Sequence, residues 1–271
     1  MDPSGSGKME DFFDSIDIGL HDFPLNVDDA AYYLICNNDI YSQVHAVQRL
    51  NNYLLKERDD HSKHIEECKN QVKNSRGIEN YFMESDLIDE YHLSSYYSIA
   101  RSICVVGITA PGYESIFNEI FCNIMKIFGE KTLNNKFNRS KLSPSKRWDC
   151  HFYIDDSGAE KKGLNVGIIH LLSETSFIDF LPSDFSLILD ALFSYRNAVM
   201  HNGFDWPEQE VLKFTTRKKN WPNSWIGVTT VDDKPWLYYL TDEFHSIVIN
   251  IIGEIYKAAG KYYLHKKGSD I

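Results

Sequence analysis

Apolar residues recur at steps of three and four along several stretches of this chain, and this spacing constrains the fold more than any other feature. The first stretch follows Asp39 and contains Ile40, Val44, Val47, Leu50 and Leu54. Similar stretches lie at about 93–128, 185–199 and 244–255. A repeat close to 3.6 residues puts these side chains on one face of an α-helix. The sequence therefore predicts an all-α fold, a bundle of amphipathic helices.

One region departs from the helical spacing. Residues 206–233 are rich in Trp, Thr, Val and Pro, and this composition predicts short extended segments at Phe214–Arg217 and Trp225–Val231. Trp236–Leu240 is predicted as another strand or as the approach to the last helix, so a small β-hairpin is inserted in the bundle. The polar stretch 129–162 is predicted as a loop. Ala110-Pro111-Gly112 predicts a kink or a break in the second helical stretch.

Charge divides the chain unevenly. The net charge is −11, but residues 1–100 hold 19 acidic and 8 basic residues, whereas residues 101–271 hold 20 of each. We therefore predict an acidic N-terminal helical extension over 1–90, with 1–10 disordered, and a second domain over 91–271. An acidic chain disfavours nucleic acid as a partner, but the neutral second domain is not excluded from binding it.

Two further features indicate a cytoplasmic protein without a membrane partner. No apolar run reaches the roughly 20 residues that span a bilayer, and no signal peptide opens the sequence. The five cysteines are odd in number, widely spaced and form no Cys-x-x-Cys pair. A disulfide framework is therefore not expected.

Three residues of metal-ligating types share one face of the first helix. His61, His64 and Cys68 stand at i, i+3 and i+7, but zinc sites usually take four ligands from separated elements, and no fourth ligand stands nearby. We interpret this segment as a solvated helix face, and no metal site is predicted.

The end of the third helix carries the residues best suited to chemistry. This helix is predicted to start at Ser183 or Asp184 and to stop at Asn202-Gly203. Arg196 and His201 are about 140° apart around it, whereas Asn197 and His201 share a face. Histidine transfers protons near neutral pH and arginine stabilises charge on phosphoryl oxygens, so the group suits a phosphodiester. The same residues also fit a surface pair or a helix cap.

Three stretches of the sequence resemble one family. Arg196-Asn-Ala-Val-Met-His201, after an apolar helix and before Asn-Gly, resembles the Arg-x4-6-His motif of the HEPN superfamily of all-helical ribonucleases. Residues 113–121 resemble the first core helix of that family, and residues 235–244 resemble the entry to its final helix. The resemblance covers about residues 93–265.

The resemblance implies a HEPN-like helical bundle and a metal-independent endoribonuclease that needs no cofactor. It implies a homodimer in which the helices of two protomers form one composite site. His201 would act as general base or acid, Arg196 would stabilise the transition state, and Asn197 would position the phosphate or His201. Members of the family serve in toxin–antitoxin and antiphage systems, which implies an antitoxin or another regulatory partner.

Other residues are candidates for contact with RNA. Lys213, Arg217, Lys218 and Lys219 are predicted to hold phosphates, although a solvated hairpin explains this cluster equally well. Glu114 is a candidate for orienting the site, with a helix-surface role as the alternative. For the whole protein, the alternatives are a non-catalytic HEPN-like module that binds RNA or nucleotides or dimerises, and a metal-dependent enzyme.

Overall fold

The structure is a computed structural model that describes residues 25–37 and 39–269, and this part of the chain is an all-α fold with small β-hairpins. The helices are α1 (Val27–Tyr32), α2 (Ile40–Asn74), α3 (Ile78–Phe128), α4 (Pro144–Arg147), α5 (Leu164–Glu174), α6 (Phe185–Asn202), α7 (Glu208–Lys218) and α8 (Asp242–Ser269). The strands are β1 (Phe152–Ile154), β2 (Glu160–Lys162), β3 (Ile226–Val231) and β4 (Lys234–Leu240). The predicted all-α class is confirmed. The predicted disordered residues 1–10 lie outside the described residues.

Helices α2 and α3 pack against each other as a helical hairpin. Asp39 caps α2, where its carboxylate accepts a hydrogen bond from the Ser42 backbone N–H at 3.0 Å. The chain reverses at Ser75–Gly77, and Gly77 has the positive φ of +69° that glycine adopts without strain. The predicted boundary between 1–90 and 91–271 falls inside α3.

Helix α3 continues through Pro111 and is not split there. Proline removes only one helical hydrogen bond, the one to the carbonyl of Gly107. The turns around Pro111 are held by packing, because Val106, Ala110 and Tyr113 are buried and the Tyr113 hydroxyl donates to the Val248 carbonyl at 2.6 Å. The tertiary contacts therefore keep the helix continuous.

Helix α8 lies at the centre of the core, where it packs against α1, α2, α3 and α6. Its buried residues include Phe244, Val248 and Ile255. Gly260 is required for close approach to α1, because a Cβ atom there would lie 1.9 Å from the Val27 carbonyl oxygen. The short helix α1 is therefore part of the same core as α8.

The predicted β-hairpin is confirmed. Strands β3 and β4 are antiparallel, with Ile226 opposite Leu240, and Asp232 and Asp233 both have positive φ at the turn, as two-residue hairpin turns require. A second hairpin, β1–β2, lies inside the stretch 129–162, so the predicted loop was wrong there. Strand β2 is a run of charged, exposed residues without apolar alternation, and it therefore gives no strand pattern.

The extended segment predicted at Phe214–Arg217 was wrong, because these residues belong to α7. Phe214 is followed by Thr215 and Thr216, which favour strands because they branch at Cβ. In α7 both threonine hydroxyls donate to the carbonyl four residues earlier, at 2.7 and 3.0 Å. Acidic residues in the first turn and basic residues in the last turn were the helix signal.

None of the helices in the described ranges combines the length and the hydropathy that crossing a bilayer requires.

Candidate functional site

The C-terminal end of α6 borders the candidate site. The helix ends at Asn202, as predicted, because Gly203 has φ +70° and its N–H donates to the Val199 carbonyl at 2.9 Å. Buried residues such as Leu192 and Val199 fix one side of the helix in the core. The last turns therefore hold Asn197 and His201 at the surface in a defined orientation.

A polar stripe runs along α6 toward this end. Asp190, Ser194, Asn197 and His201 follow one another at steps of four, three and four, so they share one face of the helix. On α7, the charged residues Glu210, Lys213 and Arg217 share one face with Phe214, at steps of three, one and three. We refer to this face as the stripe of α7.

The two stripes enclose a cleft of about 450 Å³ between α6 and α7. Its lining residues are Ser194, Asn197, Ala198, His201, Asn202, Glu210, Lys213, Phe214 and Arg217. Phe214 anchors α7, since it is buried among Tyr195, Trp206, Trp221 and Tyr238. The cleft therefore brings two predicted catalytic residues together with two predicted RNA-binding residues.

Asp190 connects the helices next to this cleft. Its Oδ1 accepts from Arg217 at 2.6 Å and from Asn165 at 3.1 Å, and its Oδ2 accepts from the Trp221 indole at 2.9 Å. One carboxylate thus ties α6 to α5 and α7. The sequence did not predict a role for Asp190, Ser194 and Glu210, although the steps of four, three and four along α6 indicate a polar face.

The cations of the cleft are held loosely. Lys213 is 70% exposed and pairs with Glu210 at 2.6 Å, and Arg217 is 51% exposed and pairs with Asp190. Ion pairs this exposed contribute at most about 1 kcal/mol, so an anion can replace the carboxylates at little cost. The His201 ring is exposed and makes no hydrogen bond or ion pair within residues 25–37 and 39–269.

Arg196 lies beside the cleft and does not line it. Its guanidinium donates to the Asn197 Oδ1 at 3.0 Å. This contact occupies the oxygen of the Asn197 amide and leaves the Nδ2 group to donate to a ligand in the cleft. Arg196 therefore orients Asn197, whereas the turn of the helix separates it from His201.

The structure does not bring the remaining candidates into the cleft. Glu114 contacts His151 at 2.8 Å, and the other ring nitrogen of His151 lies 2.7 Å from Asp149. Burial lowers the pKa of His151, but the hydrogen bonds to the two carboxylates outweigh it, so the pKa lies above its usual value. Glu114 is thus engaged in a separate network.

The last two basic candidates lie at the end of α7. The Lys218 ammonium is 5.9 Å from the centre of the Tyr238 ring, and burial lowers the pKa of Lys218. Lys219 is exposed at the C-cap of α7. Neither lines the cleft.

One group of possible metal ligands stands out among the described residues. A carboxylate oxygen of Asp149, the sulfur of Cys150 and a ring nitrogen of His151 lie within 4.8 Å of one another. The Cys150 thiol donates to the Asn118 Oδ1 at 3.0 Å, and burial raises the pKa of this thiol to about 12. Because both nitrogens of His151 are also engaged, these residues form a closed hydrogen-bonded network.

Comparison of the chain with models of protein families, with curated proteins and with solved structures finds no match.

Proposed function

We propose that this protein is a HEPN-type endoribonuclease that cleaves RNA in the cleft between α6 and α7. The observation that carries the proposal is the convergence of Asn197 and His201 with Lys213 and Arg217 in one cleft of about 450 Å³. A proton-transferring imidazole, an amide donor and two cations are the groups that a phosphodiester needs. The resemblance of Arg196–His201 to the Arg-x4-6-His motif supports the same reaction.

The proposed reaction uses the ribose 2′-hydroxyl as nucleophile. His201 accepts its proton while the 2′-oxygen attacks the adjacent phosphorus, and the bond from phosphorus to the 5′-oxygen breaks. The leaving 5′-oxygen takes up a proton, so the products carry a 2′,3′-cyclic phosphate and a 5′-hydroxyl. Lys213 and Arg217 hold the flanking phosphates, and the Asn197 amide donates to a phosphoryl oxygen.

Arg196 enters the proposal through a second protomer. In one chain, Arg196 is about 140° from His201 around α6 and cannot meet the same phosphate directly. In a homodimer whose α6 helices face each other, Arg196 of one protomer stabilises the charge that develops opposite His201 of the other. A composite site of this kind would serve toxin–antitoxin or antiphage defence, where an antitoxin or another regulatory partner controls it.

The test is RNA cleavage by the purified full chain in EDTA. We expect cleavage by the wild type and a loss of about 100-fold or more in His201→Ala and Arg196→Ala, because each removes a group that acts in the transition state. His45→Ala is the matched control, since His45 is an exposed histidine on α2 outside the cleft. Intact RNA with the wild type contradicts the proposal. Binding of RNA without cleavage would favour the non-catalytic module instead.

A further inference from the structure

A groove lies between α2 and α8, outside the cleft of the proposed ribonuclease site. It consists of two cavities, of about 310 and 250 Å³, which share Gln48 as a lining residue. Along α8 the groove extends from Lys257 to Ser246, and eleven residues of a helix span about 17 Å. The groove therefore has the length of about three helical turns.

The first cavity has apolar walls. Tyr41 and Tyr256 meet edge to face with their ring centres 5.6 Å apart, and Ile40 and Val44 line the same space. Gly253 also lines this cavity, and a Cβ atom at Gly253 would meet nothing within 4 Å. Tyr41 is 67% exposed, although burial of its ring would be favourable. This cavity is suited to an apolar side chain.

The second cavity offers amide donors. The Asn51 Oδ1 accepts hydrogen bonds from the Arg101 Nε at 3.1 Å and the Arg101 Nη2 at 2.9 Å, which leaves the Asn51 Nδ2 group to donate elsewhere. The side-chain amides of Gln48, Asn52 and Asn250 line the same cavity and make no hydrogen bond within residues 25–37 and 39–269. Carboxylate and hydroxyl oxygens are the acceptors that match these donors.

The chain enters α1 beside the first cavity. Asp28 lines this cavity, and its carbonyl accepts from the Tyr256 hydroxyl at 3.1 Å. Five residues later, Tyr33 stacks on Tyr263 with the ring centres 4.6 Å apart. Helix α1 therefore runs in the same direction as α8. The residues that precede Leu25 thus reach α1 at its Asp28 end, where the groove lies.

The sequence that precedes Leu25 has the chemistry of the groove. Its apolar residues at steps of four, four and three would share one face of a helix of about 18 Å, and they are Phe12, Ile16, Leu20 and Phe23. Asp11, Ser15 and Asp22, at steps of four and seven, follow one border of that face. Residues 11–23 contain no lysine or arginine. An apolar face with acceptors along its border therefore corresponds to the apolar cavity and the amide donors.

We propose that residues 11–23 bind as an amphipathic helix in the groove between α2 and α8 of the same chain. A helix that lays its apolar face in a groove is a common mode of peptide recognition. Leu20 and Phe23 enter the first cavity because only Pro24 separates the segment from Leu25. The short connection also gives the segment an effective concentration of about millimolar at the groove. The proposal is independent of the proposed function, because the groove and the cleft share no lining residue.

Photo-cross-linking in the full chain tests this proposal. Tyr41 is replaced by p-benzoylphenylalanine, which keeps an aromatic side chain at the groove. We expect irradiation to give a product of monomer mass in which position 41 is joined to residues 11–23. The same replacement at Tyr53 is the matched control, because Tyr53 is also an exposed tyrosine of α2 but lines neither cavity. It should not join to residues 11–23.

A variant that fills the groove distinguishes binding from incidental contact. Gly253→Leu places a side chain in the open space of the first cavity and should lower the yield of the cross-link at least about 10-fold, because it excludes the apolar anchors. Gly112→Leu is the matched control and should keep the yield, since Gly112 is a helical glycine with equally open space elsewhere. Phe23→Asp changes no residue of the described fold and should lower the yield as Gly253→Leu does.

Three results would overturn the proposal. One is the absence of a cross-link from position 41 to residues 11–23, and another is a yield that neither Gly253→Leu nor Phe23→Asp lowers. The third is a product of dimer mass, which assigns the groove to a second copy of the chain. None of these measurements involves RNA, so failure of the ribonuclease proposal leaves them interpretable.

Discussion

Asp190 accepts three hydrogen bonds with one carboxylate, and this determines how the cleft presents its charge. Arg217 donates to this carboxylate at 2.6 Å, while Asn165 and Trp221 hold the carboxylate in place. Lys213 forms an ion pair of the same length with Glu210, and both cations are at least half exposed. The cleft therefore combines two cations in exposed ion pairs with a His201 ring that has no partner among the described residues.

His245 is the most strongly perturbed histidine among the described residues. It is fully buried at the start of α8, and neither ring nitrogen has a hydrogen-bond partner in the described part of the chain. Burial, reinforced by the positive charge of Arg101, lowers the pKa of His245 to about 3. The folded protein therefore keeps this ring neutral, whereas the unfolded chain takes up a proton below about pH 6.5.

We therefore expect acid to destabilise the fold through His245. Because only the unfolded state binds the proton, the free energy of unfolding should fall as pH decreases below about 6.5, by about 2 kcal/mol at pH 5 from this group alone. In His245→Phe this part of the loss should vanish. Urea unfolding at pH 7.5 and pH 5 measures the difference.

His45→Phe is the control, since this ring is exposed and should leave the pH dependence as in the wild type. An equal loss of stability on acidification in His245→Phe and wild type would show that His245 protonates while the protein is folded.

The sequence predicts the helices that have one apolar face and misses the elements that lack a regular spacing of apolar residues. Helices α2, α3, α6 and α8 follow from apolar residues at helical spacing, and the end of α6 follows from Gly203. The helix α7 was missed because its threonines branch at Cβ, and β2 was missed because it is uniformly charged. Local spacing identified Asn197 and His201 as candidates, and their role stays a prediction.

Residues whose role depends on another element could not be found in this way. Asp190 and Glu210 matter because α6 and α7 lie side by side. Spacing within one helix does not contain this information. The same reason explains why the contact of Glu114 with His151 could not be predicted: His151 lies on a segment that was predicted only as a loop.

Two glycines in helices should respond oppositely to alanine. In α3, a Cβ atom at Gly112 would meet nothing within 4 Å, so Gly112→Ala should stabilise the protein by about 0.5–1 kcal/mol through the lower entropy of the unfolded chain. In α5, a Cβ atom at Gly167 would lie 1.9 Å from the Cys150 carbonyl oxygen, so Gly167→Ala should destabilise it. Unfolding in urea compares the two, and a destabilised Gly112→Ala would contradict the open space at that position.

The proposed composite site makes a prediction about mixed dimers. If Arg196 of one protomer serves His201 of the other, Arg196→Ala and His201→Ala chains should complement each other. After random exchange about half of the dimers are mixed, and each of these holds one intact site of two, so about a quarter of the wild-type cleavage should return.

The control replaces the Arg196→Ala chain with a chain that carries both substitutions, which supplies neither group. Cleavage that stays at the level of the separate variants would mean that each protomer builds its site from its own residues.

Helix α3 runs without interruption from the tip of the α2–α3 hairpin into the core, where it packs against α6 and α8. Its 51 residues span about 77 Å. A helix cannot unwind in its middle without losing the hydrogen bonds of neighbouring turns. The hairpin and the bundle are therefore joined by one continuous helix. The described part of the molecule should therefore behave as one cooperative unit, whose calorimetric and van't Hoff enthalpies of unfolding agree. A change at the hairpin would then alter the stability of the distant cleft without touching it.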